Sequence, residues 1–187
     1  MGDEYYDFGR AEVFDAESIG EPGARRFRIF VRSGRGSASL WLERDQLESL
    51  GTHIEKVLAQ TTGVMTLRAE AQADPTPPPG APSDFPNNPD VEFIVGPMQL
   101  GYDDDDEEML LRATPLEVVE RDGEYFAREG DEPLFSVLFT RQQAQQLCSS
   151  INSLMLMGRP RCPFCNRPML DGHVCEKQNG YHPVGLN

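Results

Sequence analysis

Cys162, Cys165, His173 and Cys175 form two short ligand pairs, Cys-x2-Cys and His-x-Cys, with seven residues between them. Zinc takes four soft or borderline ligands in a tetrahedron, and a tight turn lets one knuckle supply two of them without strain. Pro163 fixes the first turn, and Asn166 tolerates the left-handed conformation that usually follows such a knuckle. Asp171-Gly172 supplies the reversal that brings the second pair back to the first. The alternative is reduced surface thiols or a disulfide, but three cysteines and a histidine within fourteen residues favour a metal. His182 is the other imidazole near enough to replace His173, which is preferred because it completes a compact pair with Cys175. A shell closed by four protein ligands leaves no position for a reacting water, so the expected cofactor is a structural zinc.

Other chemistry-bearing residues are dispersed. Arg26, Arg28 and Arg32 alternate along one strand face and are candidates for binding an anion, either a phosphate or an acidic peptide. The plainer reading of that face is the solvent side of a sheet. The run from Asp103 to Glu108 lacks the spacing and glycine of a calcium loop and reads as a solvated turn. No Gly-x-Ser-x-Gly elbow occurs, and His53 is the sole imidazole outside the tail. It sits on a helix flank, where a structural role is expected, and Cys148 reads as a small core residue. No catalytic residue is assigned. A hydrolase would have to draw on carboxylates such as Asp7, Asp15 or Glu43 together with the arginine strand.

The elements that must position these groups belong to a chain of 187 residues with net charge −14 and 39% apolar residues. That length holds one good-sized domain plus an appendage, or two small ones. Arg159, Arg161, Arg167 and Lys177 stand against Asp171 and Glu176, so residues 158–187 carry +2 and residues 1–157 carry −16. An acidic body repels phosphate backbones, which argues against nucleic acid as a partner, although zinc ribbons elsewhere do contact it. The acidic start predicts no cleavable leader, and no apolar run reaches bilayer length. A cytoplasmic protein with reduced cysteines is expected, with no membrane partner.

Seven of the fifteen prolines fall in residues 69–90, which predicts an extended linker or loop. On either side of it a motif recurs. Residues 44–54 align without a gap on residues 141–151, with Arg44 on Arg141, Gln46 on Gln143, Leu50 on Leu147 and Ile54 on Ile151, each copy following an apolar run. Upstream, residues 8–13 faintly match residues 95–100. Internal duplication is therefore expected, with a first repeat at 1–68, a second at 91–157 and a zinc-knuckle tail at 158–187.

Strands are predicted at 7–14, 25–33, 37–42, 92–95, 98–102, 109–113, 116–120 and 133–139. Leu47, Leu50, Ile54, Val57 and Leu58 lie on one helix face, and Ala144, Leu147, Ile151, Leu154 and Met155 on another. Thr140 and Gln143 form a capping box at the second helix. The expected fold class is α+β: an internally duplicated antiparallel sheet or half-barrel with two helices, plus a small C-terminal zinc knuckle.

Tyr6-Asp7-Phe8-Gly9, Gly20-Glu21-Pro22-Gly23, Leu40-Trp41-Leu42-Glu43-Arg44-Asp45-Gln46-Leu47, Leu100-Gly101-Tyr102-Asp103 and the stretch from Gly158 through Cys175 to Tyr181 resemble a bacterial domain-of-unknown-function family, numbered 3090. Asn166 stands where the resemblance leads one to expect glycine. The resemblance implies a bacterial cytosolic protein with a zinc-knuckle tail, and it carries no established activity. It also implies an association with kinase-like and histidine-phosphatase-like proteins. The functional expectation is a non-enzymatic, zinc-stabilised binding or adaptor module whose partner is another protein. The alternatives are a phosphoester or nucleotide hydrolase, or a nucleic-acid contact through the tail.

Overall fold

The computed structural model describes residues 5–21, 24–62, 78–103, 105–121, 124–130, 134–157, 162–165 and 175. Three strands, β1 (Tyr6–Ile19), β2 (Arg26–Ser33) and β3 (Gly36–Leu42), precede helix α1 (Arg44–Thr62). Four more, β4 (Val91–Asp103), β5 (Glu108–Arg121), β6 (Glu124–Glu129) and β7 (Phe135–Thr140), precede α2 (Arg141–Leu156). The fold is α+β, and six of the strands close into a ring in the order β1, β2, β3, β4, β5, β7.

Closure corrects the expected antiparallel sheet or half-barrel. Pairs β1–β7 and β3–β4 are parallel, and the other four in the ring are antiparallel. The last strand of each half thus runs beside the first strand of the other half. Parallel neighbours cannot be joined by a hairpin, and the chain passes from β3 to β4 by way of α1.

Residue alternation decides which face turns inward. On β2, Phe27, Ile29 and Val31 enter the barrel core, while Arg26, Arg28, Phe30 and Arg32 point outward. Leu47, Leu50, Ile54 and Leu58 of α1 and Ala144, Leu147, Ile151 and Leu154 of α2 join the same buried cluster. Thr140 caps α2 with Gln143 as its capping-box partner, as the sequence predicts.

Several predicted strands prove longer. The two pieces at 92–95 and 98–102 are one strand, β4, with a bulge between Val95 and Met98 that absorbs Pro97, which has no N–H to give to the ladder. Likewise 109–113 and 116–120 fuse into β5. The unpredicted β6 pairs with the outer part of β5 and carries exposed residues, among them Phe126, so it lacks the half-buried alternation that announces a strand. Gly130 N–H donates to Pro115 O and Leu134 N–H to Ala113 O, which sets β6 and β7 along one edge of β5.

The halves are joined by a reciprocal pair of glutamines. Gln46 Oε1 accepts from Glu43 N–H at 2.9 Å, while its Nε2 donates to Val95 O at 3.0 Å. Gln143 Oε1 accepts from Thr140 N–H at 2.8 Å, while its Nε2 donates to Ala11 O at 3.0 Å. Both carbonyls sit where the register shifts, between Ala11 and Val13 in β1 and between Val95 and Met98 in β4. Each helix start therefore holds the bulge of the other half's first strand.

Candidate metal centre and arginine face

Beyond α2 the described tail consists of the turn at residues 162–165 and Cys175. The sulfur atoms of Cys162, Cys165 and Cys175 lie within 4.8 Å of one another, and Cys162 and Cys175 are buried. Thiolates bound to one zinc at about 2.3 Å would stand about 3.8 Å apart around a tetrahedron, so three sulfurs at this spacing fit a shared ion. The three cysteines could hold a metal ion. His173 and the alternative ligand His182 lie outside the described residues, as does Asn166. Cys148 belongs elsewhere: burial, with a smaller contribution from Glu55, pushes its thiol up to about 12. Its Sγ donates to Gly51 O inside the helix pair, so it is a packed thiol and not a nucleophile.

The three predicted arginines do share the outer face of β2, and each meets a partner within the chain. Arg28 is enclosed: its Nη2 lies 2.6 Å from Glu17 Oε1, its Nη1 donates to Ser39 Oγ at 3.1 Å, and the side chains of Arg28 and Glu17 are 14% and 17% exposed. Arg32 Nη1 meets Asp84 Oδ2 at 2.8 Å. Arg26 stacks on Trp41 at 4.2 Å from the ring centroid.

Asp84 belongs to residues 78–90, the second part of the proline-rich stretch. This segment has neither helix nor strand, yet it lies against the barrel as a strap. Ala81 N–H donates to Glu17 Oε2 at 2.9 Å, and Gly80 sits at φ +76°, in the left-handed region that favours glycine. Phe85 stacks edge-on against Phe30 at 5.7 Å between centroids, and Arg28 lies 5.4 Å from the Phe85 ring. At the far end Asp90 Oδ2 accepts from the Ser37 N–H and hydroxyl, both at 2.8 Å, and these bonds hold its carboxyl below the usual range. Burying Phe85 contributes about 1.5–3 kcal/mol, while the largely exposed Asp84–Arg32 pair adds under about 1 kcal/mol. The only aromatic residue in a proline-rich run was the signal available in the sequence, and the linker expectation passed over it.

The carboxylates proposed for hydrolysis have separate duties. Asp7 accepts from Gly9 N–H and pairs with Arg35, which hold its pKa down, and it also receives the Ser136 hydroxyl. Asp15 is buried, with Oδ1 accepting from Ala16 N–H and Oδ2 facing Gln146 of α2, and burial raises its pKa. Glu43 precedes α1, its N–H held by Gln46. His53 Nδ1 lies 2.7 Å from Ser49 O on an exposed helix flank. In the acidic run, Asp103 Oδ1 accepts from the N–H groups of Asp105 and Asp106, residues 105–107 form a turn, and Arg10 bridges to Glu108 at 2.8 Å.

A model of the family described as "Protein of unknown function (DUF3090)" matches residues 6–175, from the first residue of β1 to the last of the clustered cysteines. The chain belongs to the DUF3090 family. The matched span thus takes in both halves of the DUF3090 barrel, both helices and the cysteine cluster. No curated protein and no solved structure matches the chain. No helix among the described residues is long and apolar enough to cross a membrane.

Proposed function

We propose that this DUF3090 protein is a non-catalytic binding or adaptor module whose tail is clasped by one structural zinc held by Cys162, Cys165, His173 and Cys175. The observation that carries this reading is the convergence of three sulfurs within 4.8 Å, on residues of which two are buried. Such a site suits a thiophilic cation, and with an imidazole as fourth ligand it has no place for a substrate. His173 is assigned that place because it stands two residues before Cys175. The pairing of Arg28 with Glu17 and of Asp7 with Arg35 supports the same reading, since these groups serve the barrel. We read the two halves as copies of one duplicated unit, a reading supported by the matching bonds of Gln46 and Gln143.

The partner is another protein of the bacterial cytoplasm, and kinase-like and histidine-phosphatase-like proteins are the first to try. Affinity capture from a bacterial lysate tests this. A specific protein held by the zinc-loaded chain and lost after chelation supports the reading. Retention of nothing above background overturns it, as does phosphoester or nucleotide turnover that persists through purification and disappears in Arg28→Ala.

A further inference from the structure

Phe30 is 1% exposed although it points away from the barrel interior and stands apart from the core cluster. Its cover is the strap, through Phe85. Around it the outer face alternates cations and rings: Arg26 over Trp41, Arg28 at 5.8 Å from Trp41 and 5.4 Å from Phe85, then Arg32 on Asp84. A solvent face of β2 needs only polar residues, and an aromatic between three arginines is an anchor point for a ring flanked by a carboxylate.

We propose that this outer face of β2 and β3 is a docking surface for a partner protein segment in which a carboxylate directly precedes an aromatic residue, and that Asp84-Phe85 occupies it in cis. The inference rests on the binding-module reading and names the class of partner. The cis ligand is fastened on either side of Phe85, by Ala81 on Glu17 and Asp90 on Ser37, and is loosest at Asp84. Its carboxylate is 70% exposed, its ion pair is open to water, and residues 78–90 add no strand to the sheet edge. A tethered ligand competes at an effective concentration near the millimolar range, so a segment of the same chemistry in trans must bind more tightly or await release of the strap.

The test uses the full chain carrying Asp84→Ala and Phe85→Ala, and a labelled synthetic peptide of residues 78–90. Peptide anisotropy and the fluorescence of Trp41, the chain's single tryptophan, report binding. Saturable binding at least tenfold tighter than to the wild-type chain is expected. Adding Arg32→Ala should weaken it severalfold, and a peptide with the same two alanines should not bind. Phe85→Leu, which keeps an apolar plug, should fall between wild type and the double variant, and it serves if the double variant fails to fold. A folded variant that binds no better than wild type overturns the proposal. A dimer of the wild-type chain that is lost in Phe85→Leu overturns it too, because a second copy's strap would then be the occupant. If the peptide fails while capture still yields a specific protein, the surface is wrong and the module reading stands. The reverse pattern, peptide binding with no protein captured, shows Asp84-Phe85 docking in cis alone and overturns both the trans surface and the module reading.

Discussion

Cys148 Sγ donates to Gly51 O at 3.6 Å across the contact between α1 and α2. The two residues occupy equal places in their helices, five positions after Gln46 and five after Gln143. Gly51 permits this approach, since a Cβ there would meet Ile151 Cγ2 at 3.0 Å. Gly51→Val should destabilise the chain by about 1–3 kcal/mol, because overpacking exceeds the gain in helix propensity. Chemical denaturation measures this, and an unchanged midpoint would contradict the packing.

Each glutamine joins a helix cap to the bulge of the opposite half. Gln46→Ala and Gln143→Ala should each cost about 1–2 kcal/mol, the sum of a lost cap bond and a bulge carbonyl left without its donor. Similar losses in two separate melts are the expected result. A loss in one variant alone would show that the two joints are not equivalent.

Among the described residues, Glu17 and Arg28 form the most enclosed ion pair on the barrel exterior, with the strap's Ala81 on the other carboxylate oxygen. Removing either partner strands a poorly solvated charge. A double-mutant cycle with Glu17→Ala and Arg28→Ala should give a coupling on the order of 1–2 kcal/mol, below the figure for full burial because both side chains retain some solvent. Coupling near zero would contradict the geometry.

Stability should depend on pH through carboxyls of opposite sign. Burial raises Asp15 above the ordinary value of 3.8, so its contribution is present at low pH and is lost as pH climbs from there through its folded-state value. Asp7 and Asp90 are lowered, so theirs is present above 3.8 and is lost as pH falls through their folded-state values. Asp15→Asn removes the buried charge and keeps one acceptor. Its melting temperature should exceed that of wild type at neutral pH, and the difference should shrink as the pH approaches 3.8. A difference that is independent of pH would contradict a charge effect.

Local patterns carried much of this in the sequence. The alternation of Phe27, Ile29 and Val31 marks β2, the one-face spacing from Leu47 to Leu58 marks α1, and the Thr140–Gln143 box marks the start of α2. The ladders β1–β7 and β3–β4 were not legible, because parallel pairing joins distant strands without a turn signal. That residues 78–90 lie against the barrel was not legible for a related reason: prolines describe a backbone, whereas docking depends on Phe30 and Arg32 of a remote strand. The cysteine spacing was legible because a knuckle is local, and the structure brings three of the four predicted ligands together.

The most direct test of the zinc clasp is metal titration of the purified chain with cobalt as a spectroscopic substitute for zinc. One ion per chain, a tetrahedral ligand-field spectrum with thiolate charge transfer and no response to added solvent-site ligands are predicted. Cys165→Ser should lose the ion while the barrel still melts cooperatively. Absence of stoichiometric metal, or a coordination position open to exchangeable water, would contradict the account.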